Sequence, residues 1–308
     1  MNDKTAGSAD GLSDGPLSRE LVTRITAALG FVEEVPVDFD GLSQLYAAWC
    51  ACVPFDNIRK MIALRSPDTM MPGLDASDFF ENWIANGSGG TCWPSSNALC
   101  VLLMSLGFDA RRVAGSMFDI PDINHGTVKV KIEGRDWMVD SSMLTYRPLP
   151  ITSEVFVNDD PAHRVEVEPS NGSHVVWRDF PPLSEYIPCR LRLDPVDTDF
   201  YFERYEKYSR EQSPFNDRLY FRRGGPHGTF AVFGNVRFRR TAEGLDVHEF
   251  TREGLLEFLR DEAAVSEVML ESWVESGALD STFVPSDNSH PEIRSVRPSM
   301  RIGADRLL

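Results

Sequence analysis

The chain has 308 residues, with 31 Lys+Arg against 47 Asp+Glu and a formal net charge of −16. That length holds one elaborated domain or a few modest ones around a real apolar core. A surface this acidic repels phosphate backbones and anionic lipid, which argues against nucleic-acid and membrane partners; an anionic cofactor would need a local basic pocket.

Residues 1–17 are rich in Gly, Ser, Asp and Ala and read as a disordered tail. They lack the cationic start and apolar run of a secretory signal. The longest apolar run, Ala98 to Met104, is far short of the ~20 residues that span a bilayer, so a cytoplasmic location is expected. Residues 18–106 read as helical. Leu21, Ile25 and Leu29 share one face after Pro16 and Ser18, and a second helix begins near Asp40 with Leu42, Leu45, Tyr46 and Trp49 on its apolar face. Phe79, Phe80, Trp83 and Ile84 mark a third, which gives way to Gly87-Ser88-Gly89-Gly90, a hinge no helix would choose. Beyond it, Leu99, Leu102, Leu103 and Leu106 form a helical stripe that Gly107 ends.

From residue 107 to about 206 the pattern is mainly β. Val128, Val130 and Ile132 alternate with Thr127, Lys129 and Lys131, and Trp137-Met138-Val139 starts a partner strand. Short strands follow near 153–157, 164–168 and 174–178, then a connecting helix over 197–209. Residues 207–275 read as an α/β unit. Its strands lie between 218 and 249, with turns at Gly224-Gly225-Pro226 and Glu243-Gly244, and its helix carries Leu255, Leu256, Leu259 and Val265. Residues 276–308 turn polar and read as an irregular tail.

The five cysteines, Cys50, Cys52, Cys92, Cys100 and Cys189, contain no CxxC and are odd in number, so neither a disulfide framework nor a zinc site is expected. Cys50, Cys52, Cys100 and Cys189 read as core residues. Cys92 differs because it follows the glycine hinge and opens a helix. Unpaired N–H groups there favour a thiolate and can hold an oxyanion; Thr91 is placed to cap, Pro94 is tolerated in the first turn, and the glycines give substrate a close approach. His125 precedes one strand and Asp140 ends its partner, so a hairpin can bring them to one edge, His125 to take the Cys92 proton and Asp140 to hold the ring. A tight turn centred on Gly134-Arg135 would pair His125 with Leu144 instead, so closure requires a wider loop or offset strands. His163, His174, His227, His248 and His290 read as surface or loop residues. The most basic stretch, Arg222, Arg223, Arg237, Arg239 and Arg240, is a place to meet an anionic cofactor, although solvated strand faces routinely carry such residues.

The series Val53-Pro54-Phe55-Asp56-Asn57-Ile58, Gly89-Gly90-Thr91-Cys92-Trp93, Asn97-Ala98-Leu99, Leu106-Gly107-Phe108, His125, Trp137-Met138-Val139-Asp140 and Pro148-Leu149 resembles the arylamine N-acetyltransferase family, most densely over residues 50–150. The resemblance implies an α+β, multi-domain fold: a helical bundle, a β-barrel and an α/β lid around a papain-like cysteine-enzyme core. It implies Cys92, His125 and Asp140 as the catalytic residues, with Gly89, Gly90, Thr91 and Trp93 forming the substrate and oxyanion region. It also implies ping-pong acyl transfer from acetyl coenzyme A to an arylamine or hydrazine, with no metal. Three positions depart from the family pattern: Ser88 replaces an Arg, Pro94 a Glu, and Ser141-Ser142 a Gly-Phe-Gly start. A divergent member could act as an amide synthase on a larger, carrier-bound acyl thioester. The same triad also fits a transglutaminase-like or peptidase-like thiol hydrolase, and a non-catalytic binding protein on this fold is the remaining reading. Oligomeric state is not legible.

Overall fold

A computed structural model describes residues 15–66, 69–179, 186–211 and 213–284; of the tails expected over 1–17 and 276–308, residues 1–14 and 285–308 lie outside the described residues. The helical segment comprises α1 (Arg19–Ala28), α2 (Phe39–Cys52), the two-residue strand β1 (Phe55–Asp56), α3 (Ile58–Leu64), α4 (Ala76–Asn86) and α5 (Cys92–Ser105). Side chains fix several starts: Ser18, Asp38 and Asp75 accept from backbone N–H groups in the first turns of α1, α2 and α4. Gly87 ends α4 at φ 70°, a left-handed C-cap. Two edges differ from the sequence reading. Leu17, placed in the tail, is buried and donates its N–H to Ser105. Helix α5 has no single apolar stripe, because every residue from Cys92 to Leu103 is buried.

The second sheet is built from β2 (Asp109–Met117), β3 (His125–Ile132), β4 (Arg135–Val139), β5 (Leu149–Ile151), β6 (Phe156–Asn158), β7 (Val165–Ser170), β8 (Ser173–Asp179) and β9 (Tyr186–Arg192). Its order is β5-β4-β3-β2-β9-β8-β7-β6; the two edge strands are consecutive in sequence and β5 also lies against β7, so the sheet is barrel-like and nearly closed. Val165, Val167, Val176, Cys189 and Leu191 fill its interior with Met138 and Met143. Helix α6 (Thr198–Phe202) continues as a π-helical segment, Glu203–Ser209.

The third layer is a five-stranded antiparallel sheet, β1-β10-β11-β12-β13, in which β10 (Tyr220–Gly225), β11 (Gly228–Phe233), β12 (Val236–Thr241) and β13 (Gly244–Glu249) follow in sequence. Helices α7 (Arg252–Asp261), α8 (Glu267–Glu275) and α9 (Ala278–Thr282) cover it. The last of these overturns part of the expected irregular tail: Ala278, Leu279 and Thr282 are buried. Strand β1 belongs by sequence to the helical segment but pairs with β10, and Ile58 and Met61 of α3 pack into the core of this last layer.

Candidate active site

Cys92 is the first residue of α5, with Thr91 at the N-cap. Its sulfur is nearly buried and lies 3.9 Å from the carbonyl oxygen of Asn124, the residue before β3. Thr91 makes no side-chain capping bond, contrary to expectation. The glycines also serve a different end from the one expected. A Cβ on Gly89 would lie 2.2 Å from the carbonyl oxygen of Pro54, and one on Gly90 would lie 3.0 Å from Pro94 and 3.2 Å from Phe79. What approaches these backbones closely is the protein itself. The Gly89 N–H is likewise taken, donating to Asp56 at 2.6 Å. Trp93 is buried edge-on against Tyr201, ring centroids 5.0 Å apart, and backs onto Gly126.

His125 opens β3. Its Nε2 lies 2.6 Å from Asp140 Oδ2, and both side chains are buried. With Nε2 taken, Nδ1 is the ring nitrogen left for the Cys92 side chain, which acts on the ring electrostatically and raises its proton affinity. The hairpin achieves this by a register the sequence reading missed. Its turn is centred on Glu133-Gly134, at φ 50° and 76°, and pairs Ile132 with Arg135 and Val128 with Val139. Continuing that ladder places Thr127 opposite Asp140. His125, two residues before Thr127 and on the same face, reaches Asp140 diagonally. No wider loop is needed.

Asp140 is held from every side. Its Oδ1 accepts from Ser142 N (2.9 Å), Ser142 Oγ (2.9 Å) and Met143 N (2.7 Å). Its backbone is clasped by the Tyr46 hydroxyl of α2, which donates to Asp140 O at 2.8 Å and accepts from Asp140 N at 3.1 Å. The same oxygen accepts from Thr145 N at 3.1 Å. Ser141 completes the support: its hydroxyl meets that of Ser96 on α5, which donates to Gly126 O at 2.7 Å. Ser141-Ser142 thus ties the carboxylate to helix α5.

Burial alone would strip the charge from both partners. For His125 it lowers proton affinity, but the Asp140 charge, the hydrogen bond to it and the Cys92 contact outweigh that and raise the pKa. For Asp140 burial raises the pKa, yet His125 and the N–H and O–H donors prevail and lower it. Asp140 thereby raises the affinity of the ring for a proton, the one the neighbouring thiol can supply.

A second buried carboxylate secures the segment before Cys92. Asp56 of β1 accepts from Ile58 N (3.0 Å), Ser88 Oγ (2.8 Å) and Gly89 N (2.6 Å). Its pKa is pushed up to about 6 by burial, which those donors and Arg59 only partly offset. Ser88 therefore meets an acid with a hydroxyl where the family pattern has an arginine.

Other sequence expectations fared unevenly. His163 is buried, stacks on Tyr146 with centroids 4.9 Å apart and contacts Gly225 O at 2.7 Å; it is not a surface residue. Within the basic stretch Arg222 is fully buried, Arg223 donates to Glu262 O at the end of α7, and Arg237 pairs with Asp246. His290 lies outside the described residues. All five cysteines are free. No metal-ligating group of three side chains, and no helix long and apolar enough to cross a membrane, occurs among the described residues.

Over residues 38–265 the sequence matches a family model described as N-acetyltransferase. Among curated proteins it is similar to proansamycin X synthase of Amycolatopsis mediterranei (strain S699), 30% identical over 117 residues, which is 36% of this chain and 44% of that protein. It is also similar to arylamine N-acetyltransferase 1 of Homo sapiens, 25% identical over 127 residues, 38% and 42% of the two chains. These matches span less than half the length of either relative. The fold is similar to that of the Mycobacterium smegmatis arylamine N-acetyltransferase (TM-score 0.74, 15% identity, 84% of this chain and 98% of that one). It also resembles the Salmonella typhimurium protein (TM-score 0.70, 16% identity, 85% and 100%) and the Mycobacterium marinum protein in complex with CoA (TM-score 0.72, 14% identity, 85% and 98%). At such identities the likeness is one of fold, and it agrees with the expected α+β architecture.

Proposed function

Because this chain belongs to the arylamine N-acetyltransferase family, a family of acyltransferase enzymes, as a divergent member, we propose that it moves an acyl group from a thioester to an amine through an S-acyl-Cys92 intermediate. The observation that carries this reading is the contact of His125 Nε2 with Asp140 Oδ2 at 2.6 Å, the Cys92 side chain acting on the same ring at the head of α5. His125 takes the thiol proton and Asp140 stabilises the resulting imidazolium. The sulfur attacks the thioester carbonyl, a new S–C bond forms, and the donor's C–S bond breaks. The imidazolium returns its proton to the leaving thiolate. In the second half the amine nitrogen attacks the acyl-enzyme, Cys92 leaves as thiolate, and His125 receives the amine proton. Two moderate barriers replace one crowded step.

Acetyl coenzyme A is the donor that family membership suggests, with an arylamine or hydrazine as acceptor. Similarity to a protein named as a synthase of a specific product favours a second reading, in which the acyl chain is larger and carrier-bound. The test is intact-mass detection of an adduct on the full chain after mixing with acetyl coenzyme A and with a series of longer acyl thioesters, with Cys92→Ser as control. An acetyl adduct absent from the serine variant supports the first reading, and an adduct from longer donors alone supports the second. No adduct with any donor refutes both.

A further inference from the structure

A nucleophile must meet a thioester carbonyl, yet Cys92 is only 8% exposed, so what encloses it decides what reaches it. A circuit of contacts runs round the residue. On one side the Asn124 carbonyl oxygen stands 3.9 Å from the sulfur. On the other, Trp93 of α5 meets Phe200 of α6 edge-on, ring centroids 6.2 Å apart. One turn later, in the π-helical segment, Arg204 lies over the Phe200 ring at 5.4 Å and over the Tyr208 ring at 4.5 Å. Its Nη1 then crosses to Asp122 Oδ1 at 3.0 Å. That oxygen also accepts from Ile123 N at 2.9 Å, next in the chain to Asn124, and the circuit closes.

Both banks of the circuit are firmly held. In the connection from β2 to β3, the Asn124 side chain accepts from Met117 N at 2.7 Å and donates to Met117 O at 3.3 Å. Asp119 takes the Arg190 guanidinium of β9 at 2.6 and 2.8 Å, Phe118 N donates to Pro188 O at 2.7 Å, and Ser116 Oγ donates to Ile120 O at 2.6 Å. Phe118 and Asp119 stand at φ 67° and 51°, a backbone that side-chain-bearing residues keep only where their surroundings enforce it. The opposite bank is anchored by the buried Tyr201 hydroxyl, shared between Val113 O and Thr127 O, and by Tyr205, which donates to Pro72 O at 3.0 Å. Among the described residues Arg204 and Asp122 form the ion pair that joins the two banks, with side chains 19% and 62% exposed.

We propose that Arg204 is a specificity-determining residue: its side chain is a bar across the approach to Cys92, and bulky thioesters reach the sulfur only when it releases Asp122. This rests on the reading of Cys92 as the nucleophile and adds to it a control of acyl-group size. Release requires rotation of one side chain away from a carboxylate that water already reaches, with both banks left in place. A partly exposed pair of this kind is weak and is screened by salt. The bar therefore yields to a large substrate, while small reagents pass without moving it.

The test compares N-ethylmaleimide with a pyrene-bearing maleimide on the full-length protein, following modification of Cys92 by peptide mass spectrometry. The two share one chemistry, so a change in thiolate fraction acts on both equally and the ratio of their rates reports access. Wild type is set beside Asp122→Asn, Arg204→Met and Lys207→Met; Lys207 pairs with Glu203, so its loss removes a charge from the same segment without touching the bar. Breaking a partly exposed pair shifts an open–closed balance by about twofold to fivefold. The pyrene rate should rise by about that factor relative to the ethyl rate in Asp122→Asn and Arg204→Met, and Lys207→Met should match wild type. Raising NaCl from ~0.05 to ~0.5 M should move wild type the same way and Asp122→Asn less. Asp122 is mostly exposed, so its substitution leaves the fold in place. Ratios in Asp122→Asn and Arg204→Met that overlay wild type overturn the proposal, as does an equal rise in Lys207→Met. If no thioester leaves an acyl group on Cys92, the nucleophile reading falls and the selection of thioesters falls with it, whatever the maleimide ratio.

Discussion

Replacing Tyr46 by Phe removes one oxygen atom and leaves the packing of α2 intact. That oxygen is the hub of the clasp around Asp140: it accepts from Asp140 N and Thr145 N, each at 3.1 Å, and donates to Asp140 O at 2.8 Å. In Tyr46→Phe two buried backbone N–H groups lose their acceptor, and each costs about 1–3 kcal/mol. The phenyl ring spares the desolvation of a hydroxyl, so the expected net loss is ~2–4 kcal/mol. Urea unfolding measures it directly. The same peptide carries the Asp140 carboxylate, so the rate of Cys92 acylation from a thioester should fall together with stability. A variant whose unfolding free energy lies within about 0.5 kcal/mol of wild type, with an unchanged acylation rate, would refute the argument that this hydroxyl holds the carboxylate in place.

Asp140→Asn keeps the three donors on Oδ1 and so turns its amide toward His125 Nε2, forcing the tautomer that carries hydrogen on Nδ1. Stopped-flow acylation should then slow by ~10²–10⁴. Gly126→Ala puts a methyl 2.7 Å from Trp93 and 3.0 Å from Tyr201, so thermal melting should show a loss of ~1–3 kcal/mol. The pH dependence of stability has opposite signs at the two buried sites. His125 has a folded pKa raised above its ordinary 6.5, so its contribution is complete below that value and disappears as pH rises through the folded value; Asp140, lowered from 3.8, contributes above that value and loses its contribution as pH falls. Lys60, lowered from 10.5 to about 7, is penalised when charged, so its share of stability rises between those values. Calorimetry across this range should show that rise in wild type and not in Lys60→Met.

The legible parts of the fold are those where one face is wet. Helix α1, with Leu21 and Ile25 inward, and strand β3, alternating toward its end, show their periods. Strand β2 does not, since Arg112 to Ser116 is buried on both faces between α5 and the barrel, and Pro188 interrupts the pattern of β9. Cys92 was visible because glycines punctuate the chain just before a helix. The diagonal reach of His125 was not, because centring the turn one position later moves the ladder by two residues. Tyr46 occupies an ordinary apolar helix position, and only its buried hydroxyl, which demands partners, distinguishes it. His163 does lie in a loop, between β6 and β7, but its burial was not legible because the groups that cover it, Tyr146 and Gly225, come from other parts of the chain.

Asn57 bonds through its side chain to Phe215 O, Arg218 O and Tyr220 N, and β1 beside it pairs with β10. The backbone that carries Cys92 is therefore moored to chain made more than a hundred residues later. During synthesis the thiol leaves the ribosome well before the segment that fixes its setting, so the nascent polypeptide exposes a cysteine without a finished site around it. On the proposed function, completion of the Cys92 setting is a late event, coupled to docking of the final sheet.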